Sequence, residues 1–258
     1  MRMESRYLLL SVSVAGLVLT SLAGCPTRPK GPEPAATTKI APAAPAQRHE
    51  GRPYDVARGE SLLTILAFRG GTLAKFGHNH VIASHDISGT FYVPDDIEHS
   101  TFELHVPVGQ LAVDEPDLRA KEGPDFPKDV PDSAKEGTRR NMLSEALLNG
   151  AQYDEITLTG QHIRTNTPGD TAPGDATARG SQVLADVQIA VRGQTHTISV
   201  PVTYSLSGDR LTAEGDLPLK QSDLGLTPFT AALGALAVQD EMRVRFHFVA
   251  HSATTHGS

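Results

Sequence analysis

Residues 183–206 have the sequence VLADVQIAV, RGQT and HTISVPVTYSL, and they give the clearest evidence for the fold class. Apolar and polar side chains alternate along both outer segments, and Gly193 lies in the short polar connection between them. Alternation with a period of two places one set of side chains on each face of a strand. The stretch therefore predicts two antiparallel strands joined by a tight turn.

The same alternation recurs on both sides of this hairpin. Further strands are predicted at residues 61–68, 73–82, 88–93, 100–108, 155–163, 210–219 and 242–250. Many antiparallel strands favour an all-β fold, either an up-and-down barrel or an open sandwich. The barrel removes exposed sheet edges and can enclose one elongated ligand. We therefore predict the barrel.

One segment has the period of a helix instead. Residues 132–148 carry an apolar stripe, with Asp132 or Ser133 as the expected N-cap and Asn149-Gly150 as the expected end. The helical Arg139-Arg140 pair and the carboxylates of residues 114–117 are predicted to be solvated surface charges.

The N-terminus has the features of an export signal. Two arginines precede the apolar stretch 7–23, which is short for a membrane-spanning helix, and Leu22-Ala23-Gly24-Cys25 follows. This tetrapeptide resembles the lipobox of bacterial lipoproteins, and Cys25 is the only cysteine of the chain. Residues 1–25 are thus predicted to be a lipoprotein signal peptide ending at a lipidated Cys25. Pro26, where an aspartate would indicate retention in the inner membrane, favours the outer membrane facing the periplasm.

The remaining chain divides by composition. Residues 26–53 are rich in proline and alanine and predict a disordered tether. Residues 54–251 form the predicted barrel domain, and residues 252–258 form a polar tail. The net charge of −7 and an aromatic content of 5% argue against a nucleic-acid partner.

The barrel domain resembles the YceI-like proteins, often described as polyisoprenoid-binding. The resemblance rests on four parts of the sequence, namely Tyr54-Asp55-Val56, Phe91-Tyr92-Val93 with residues 100–104, residues 153–158, and residues 191–202 followed by 222–225. It implies a lipocalin-like antiparallel barrel whose apolar interior holds a long lipid, with no established catalysis. Some members pair as homodimers, although nothing in this sequence indicates an interface. The segment Gly77-His78-Asn79-His80 departs from the usual pattern.

This departing segment is the candidate site. If residues 73–82 form one strand, then Phe76, His78, His80 and Ile82 share a face and Asn79 points the other way. Such a face would contact the polar end of a hydrophobic ligand. Alternatively, these are ordinary surface or core histidines, or His78 and His80 bind a divalent metal with a third ligand from His85, His105 or His162.

The sequence therefore predicts a non-catalytic protein, anchored to the membrane, that binds or carries an amphiphilic isoprenoid-like lipid. No catalytic motif is present, neither a Gly-x-Ser-x-Gly elbow nor a His-Glu-x-x-His helix. The alternatives are a periplasmic metal-binding protein that uses His78 and His80, and an enzyme that acts on a small amphiphile.

Overall fold

The computed structural model describes residues 49–165 and 180–252. The predicted signal peptide with Cys25, nearly all of the predicted tether, most of the loop 166–180 and the tail beyond residue 252 lie outside these ranges. The described helices are α1 (Pro116–Arg119) and α2 (Asp132–Leu143). The strands are β1 (Arg52–Val56), β2 (Leu62–Gly70), β3 (His80–Ser84), β4 (Ser88–Val93), β5 (Thr101–Pro107), β6 (Ala112–Val113), β7 (Glu155–Thr165), β8 (Ser181–Val191), β9 (Gln194–Ser207), β10 (Arg210–Lys220), β11 (Thr230–Ala231) and β12 (Leu236–His251).

Eight of these strands close into an antiparallel barrel in the order β1-β4-β5-β7-β8-β9-β10-β12. The pairing of β1 with β12, in which Asp55 faces His251 and Val56 faces Ala250, completes the ring. One edge of β12 pairs with β10, and the other edge pairs with both β2 and β1. Strand β2 then pairs with β3, and β3 with β6. The predicted all-β, lipocalin-like barrel is confirmed.

The hairpin of residues 183–206 has the predicted register. Val191 on β8 pairs with Gln194 on β9 across the turn that contains Gly193. Every second residue of β8 from Val183 to Val191 is buried, and the residues between them are at least partly exposed. The period of two in the sequence thus corresponds to an inner and an outer barrel face.

Two glycines make room for aromatic rings on the inner face. Gly160 on β7 pairs with Phe102 on β5, and Gly215 on β10 pairs with Phe246 on β12. A Cβ atom at Gly160 would lie 1.9 Å from the ring of Phe102, and one at Gly215 would lie 2.3 Å from the ring of Phe246. Each ring therefore occupies the space that a side chain at the opposite strand position would need, so a larger residue there would displace the ring.

The helix prediction was correct in its place and in its first residue, but it was wrong in the cap and in the C-terminal end. Helix α2 begins after Pro131, whose side chain makes no capping hydrogen bond, rather than after Asp132 or Ser133. It ends at Leu143 because Ser144 adopts an extended conformation and its hydroxyl donates to the carbonyl oxygen of Asn141, at 2.7 Å. Within the described residues, no helix has the length and apolar character needed to span a membrane.

The strand predicted at residues 73–82 is wrong in its first half. Strand β2 ends at Gly70, a 3₁₀-helix covers Ala74–Phe76, and β3 begins only at His80. Gly71 has a φ of 84°, and a Cβ there would lie 2.4 Å from the carbonyl oxygen of Ala235, so the chain turns sharply here. The tight turn displaces residues 74–76 from the sheet. In addition, β1 starts at Arg52, inside the segment predicted as a tether.

Candidate functional site: the barrel cavity and its polar end

The barrel encloses a cavity of about 510 Å³. Its walls are formed by inward-facing aliphatic side chains from strands on all sides, for example Leu104, Ile189 and Val244, and by the rings of Phe102 and Phe246. The alternation of the strands produces this lining directly, because the inner face of each strand carries the apolar set. Such a cavity can solvate a hydrocarbon chain.

The polar lining residues come from a few segments that meet at one end of the barrel. We call this group the polar end; it consists of Arg69, His78, His80, Thr138, Asn141 and Gln221. Hydrogen bonds to the backbone tie several of its segments together. The Gln221 side-chain amide donates to the carbonyl oxygen of Gln239 at 2.8 Å, and the Gln239 amide donates to that of Arg69 at 2.9 Å. The backbone N–H of Arg69 donates in turn to Asn79 Oδ1 at 2.9 Å.

His80 is the most constrained side chain of the polar end. Its Nδ1 lies 2.7 Å from Oδ2 of Asp114, and its Nε2 lies 3.4 Å from Oγ1 of Thr138 on α2. The imidazole is only 15% exposed, whereas the Asp114 side chain is fully buried. One ring nitrogen is therefore held by a carboxylate, and the other is directed to a hydroxyl on the cavity wall.

Asp114 is fixed by the backbone as well as by side chains. Its Oδ1 accepts hydrogen bonds from the N–H of Val81 at 2.9 Å and from Nη1 of Arg119 at 2.5 Å. Burial raises the pKa of the Asp114 carboxyl, but the hydrogen bonds from His80 and Val81 and the charges of His80 and Arg119 outweigh burial. The pKa of Asp114 is consequently lowered, and the group is a carboxylate at neutral pH.

Arg119 supplies the buried positive charge. Besides Asp114, its guanidinium donates to the carbonyl oxygens of Asn79 and Pro127, each at 2.7 Å, and it stacks over the ring of Phe126 at 5.7 Å. The short helix α1 ends at this residue, which is fully buried. Arg119 thus joins segment 79–81, the residues around Asp114 and residues 126–127 into one rigid unit beneath His80.

His78 adds a second imidazole to the polar end. Its ring centroid lies 4.8 Å from that of His80, with the two rings edge to face. Burial lowers the pKa of His78, and the neighbouring His80 lowers it further. The His78 ring is therefore neutral at neutral pH and gives the cavity a polar but uncharged group.

The model of one protein family matches this chain over residues 64–250, under the description YceI-like domain. The chain belongs to the YceI-like domain family. The match covers well over half of the sequence and includes all of the polar-end residues. No curated protein is a significant match to this YceI-like chain.

Solved structures similar to this YceI-like domain include BcnA from Burkholderia cenocepacia, with 15% identity and a TM-score of 0.51 over 76% of this chain and 99% of that one. A polyisoprenoid-binding domain from Saccharophagus degradans has 15% identity and a TM-score of 0.47, covering 78% and 98% of the two chains. A Campylobacter jejuni YceI protein has 7% identity and a TM-score of 0.43, covering 65% and 82%. The BcnA likeness supports the fold alone, so function must be argued from the residues of this chain.

Three of the four predicted ligand-contacting residues line the cavity. His78, His80 and Ile82 are on its wall, whereas Phe76 is 71% exposed and lies outside the lining. Phe76 is displaced because it belongs to the 3₁₀-helix and not to β3. Asn79 faces away from the cavity as predicted, since its side-chain amide also donates to the carbonyl oxygen of Asp125, at 3.1 Å.

Two predictions of solvated charge are wrong in this YceI-like domain. Asp114 is completely buried, and Arg139 donates to the backbone carbonyls of Gly109 and Leu111, which attaches α2 to the chain before β6. Asp114 and Arg119 were not predicted as site residues. Asp114 follows the two-residue strand β6 and Arg119 ends the four-residue helix α1, and elements this short have no periodicity that could indicate burial.

Among the described residues, no third metal ligand is grouped with His78 and His80. His85 is paired with Glu115 at 2.8 Å, His105 with Glu155 at 2.8 Å, and His162 has a left-handed φ of 56° at a bulge in β7. Within residues 49–165 and 180–252, no three His, Cys, Asp or Glu side chains are grouped in a way that could hold a metal ion.

Proposed function

We propose that this YceI-like domain binds an amphiphilic, isoprenoid-like lipid in its barrel cavity and stores or carries it without converting it chemically. The observation that carries the proposal is the distribution of polarity in the cavity. Aliphatic and aromatic side chains form the walls, and the polar side chains are gathered at the polar end. A ligand with a long apolar chain and a single polar end group has the same distribution.

The size of the apolar lining supports a hydrocarbon ligand. Each buried methylene contributes about 0.8 kcal/mol, so about ten buried carbons supply roughly 8 kcal/mol before the costs of association. The described lining residues include no lysine, aspartate or glutamate. A highly charged ligand would therefore lose its hydration without gaining ion pairs along the walls.

We extend the proposal to the location of the protein, with Cys25 as the lipidated anchor and the barrel facing the periplasm from the outer membrane. The segment between Cys25 and β1 is 26 residues long by the sequence numbering. A segment of this length spans at most about 90 Å when fully extended. Such a reach would keep the cavity close to the membrane from which a lipid is taken.

The test of carriage is native mass spectrometry of the full-length chain, purified in mild detergent without chelator and followed by lipid extraction. We expect one long-chain lipid per chain. In the variant Ala213→Phe, which places a ring in the cavity, the lipid should be lost; Ala151→Phe, at an exposed position, should retain it. Circular dichroism checks that both variants fold.

Two results would contradict the proposal. An empty wild-type chain that also fails to take up added prenols would exclude carriage. A stoichiometric metal that disappears in the double variant His78→Ala/His80→Ala would favour the metal-binding alternative. The anchor is tested separately with Cys25→Ala, which should move the protein from the membrane fraction to the soluble fraction.

A further inference from the structure

Two neighbouring loops at the polar end carry an exposed apolar surface. Four large apolar side chains are exposed within residues 49–165 and 180–252, and three of them lie on these loops. We call these three the apolar rim, namely Leu73, Phe76 and Leu233. The loop between β2 and β3 carries the first two, and the loop between β11 and β12 carries the third. The N–H of Leu73 donates to the carbonyl oxygen of Ala235 at 2.8 Å, which joins the two loops.

The apolar rim borders the cavity. Ala74 and Gly77 line the cavity, whereas Phe76 between them is exposed. The second loop has the same two sides, because Leu236 lines the cavity a few positions after the exposed Leu233. One side of each loop therefore faces the cavity, and the other side faces outward.

The backbone of the second loop holds Leu233 outward in an unfavourable conformation. Ala232 and Leu233 have φ values of 49° and 55°, in the left-handed region that residues other than glycine rarely adopt. The Leu233 side chain is fully exposed, so packing within the described part of the chain does not offset this cost. A strained turn that presents an apolar side chain to solvent is typical of a binding surface.

The charge around the apolar rim favours an anionic surface as its partner. Residues 70–78 and 226–238 contain no aspartate or glutamate, although the chain as a whole has a net charge of −7. Lys75 is exposed, and its ammonium group lies 5.0 Å from the centre of the Phe76 ring. Asp240, the first acid after the second segment, accepts hydrogen bonds from the N–H and the hydroxyl of Ser222. Apolar side chains beside a lysine suit the boundary between acyl chains and anionic head groups.

The apolar rim lies at the end of the barrel opposite to the point where the chain enters. Arg52, the first residue of β1, donates to the carbonyl oxygen of Gly208 at 3.3 Å, in the turn between β9 and β10. Strand β8 has 11 residues and is about 36 Å long, whereas the segment from the proposed anchor to β1 spans at most about 90 Å. This segment is therefore long enough for the barrel to turn its polar end toward the membrane.

We propose that the apolar rim and Lys75 dock the barrel onto an anionic phospholipid bilayer. The side chains of the rim insert at the boundary between head groups and acyl chains, and the Lys75 ammonium group contacts the phosphates. The polar end of the cavity then lies against the bilayer. This inference rests on the proposed carriage of a lipid and names the surface from which the cavity is loaded.

The experiment uses tryptophan as a depth probe, because the chain contains none of its own. Full-length Phe76→Trp, with its anchor, is inserted into vesicles of phosphatidylcholine and phosphatidylglycerol. Its fluorescence is compared between vesicles whose phosphatidylcholine carries brominated acyl chains and vesicles with ordinary chains. Bromine quenches an indole only at close range, so we expect the brominated vesicles to remove most of the fluorescence. The emission should also shift to shorter wavelength when vesicles are added.

The matched control is Leu206→Trp. Leu206 is the fourth exposed large apolar residue, and it pairs with Leu211 at the end of the barrel where the chain enters. If the anchor alone held the barrel at the membrane, this indole would be the nearer of the two and would be quenched at least as strongly. Docking through the apolar rim predicts the opposite order, with little quenching in Leu206→Trp.

A second pair of variants tests the charge. In the Phe76→Trp background, Lys75→Gln should lower the ratio of docked to undocked barrels about fivefold, which corresponds to about 1 kcal/mol for one basic side chain at an anionic surface. Arg58→Gln removes the same charge at the opposite end, beside Glu60, which pairs with Arg210, and should leave the ratio unchanged. Both ratios are read from the degree of quenching. The effect of Lys75→Gln should disappear in vesicles without phosphatidylglycerol.

The outcomes separate docking from carriage, because native mass spectrometry of the same samples reports the bound lipid independently. Equal quenching of the two tryptophan variants, or none in Phe76→Trp, would overturn docking even if a lipid is bound. Quenching of Phe76→Trp alone, in a chain that binds no lipid, would support the docking surface and exclude carriage. A shift of the emission that bromine does not quench, together with a dimer in the mass spectrum, would assign the apolar rim to a second copy of this chain instead.

Discussion

Two parts of the cavity lining are built in different ways. The aromatic wall consists of Phe91, Phe102, Phe246 and Phe248, with Phe102 and Phe246 lying over glycines of neighbouring strands. The polar end instead depends on Asp114 and Arg119, which lie 34 and 39 positions after His80 in the sequence and outside every strand. Regular pairing between strands therefore creates the wall, whereas buried charges that lie outside the strands fix His80 at the polar end.

The strongest test of this difference is the removal of the buried cation. In Arg119→Leu the Asp114 carboxylate remains buried without its positive partner, so we expect the free energy of unfolding to fall by about 3–5 kcal/mol. Urea denaturation followed by circular dichroism measures this loss. Arg140→Leu on the exposed face of α2 is the control, and we expect a change below about 0.5 kcal/mol. Equal effects of the two substitutions would show that the buried charge does not hold the polar end.

The aromatic wall is tested by Gly160→Ala. The added methyl group would lie 1.9 Å from the ring of Phe102, so the ring must move, at a cost of about 1–3 kcal/mol. Gly59→Ala, where a Cβ has no neighbour within 4 Å, is expected to be close to neutral. A Gly160→Ala protein as stable as the wild type would mean that the ring is not confined.

The smallest effect on the free energy of unfolding is expected when the pH is lowered. The pKa of Asp114 is lowered from its ordinary value of 3.8, so the native state binds fewer protons at this group than the unfolded state. The contribution of Asp114 to the free energy of unfolding is complete at pH values above the ordinary pKa of 3.8. It is lost as the pH falls through the lower pKa that Asp114 has in the folded state. Because burial offsets part of the lowering, this contribution is modest. The difference in unfolding free energy between wild type and Asp114→Asn should shrink when the pH is lowered from 6 to 3; a constant difference would contradict the assignment.

The strands could be predicted because their alternation is local. Residues 183–206 specified the hairpin, its turn and the identity of the inner face, and the structure has all three. Prediction from the alternation of apolar and polar residues failed where a turn interrupts the strand predicted at residues 73–82. The apolar residues Leu73 and Phe76 fitted a strand, but the close approach at Gly71 forces a turn there and leaves Phe76 exposed.

The polar end could be predicted only in part. His78 and His80 both line the cavity, although the prediction placed them in one strand and only His80 belongs to β3. Asp114 appeared to be a solvated loop charge, since a run of acidic residues beside a proline usually is. Its burial depends on Arg119 and on the backbone of Val81, and partners distant in sequence leave no periodic signal.

The pairing of β12 also constrains when the barrel can form during synthesis. One edge of β12 pairs with β10 and the other pairs with both β2 and β1, so three earlier strands each lack one of their two neighbours until β12 has been synthesised. Closure of the barrel must therefore wait for β12, the last of the described strands, and contacts between residues so distant in sequence form slowly.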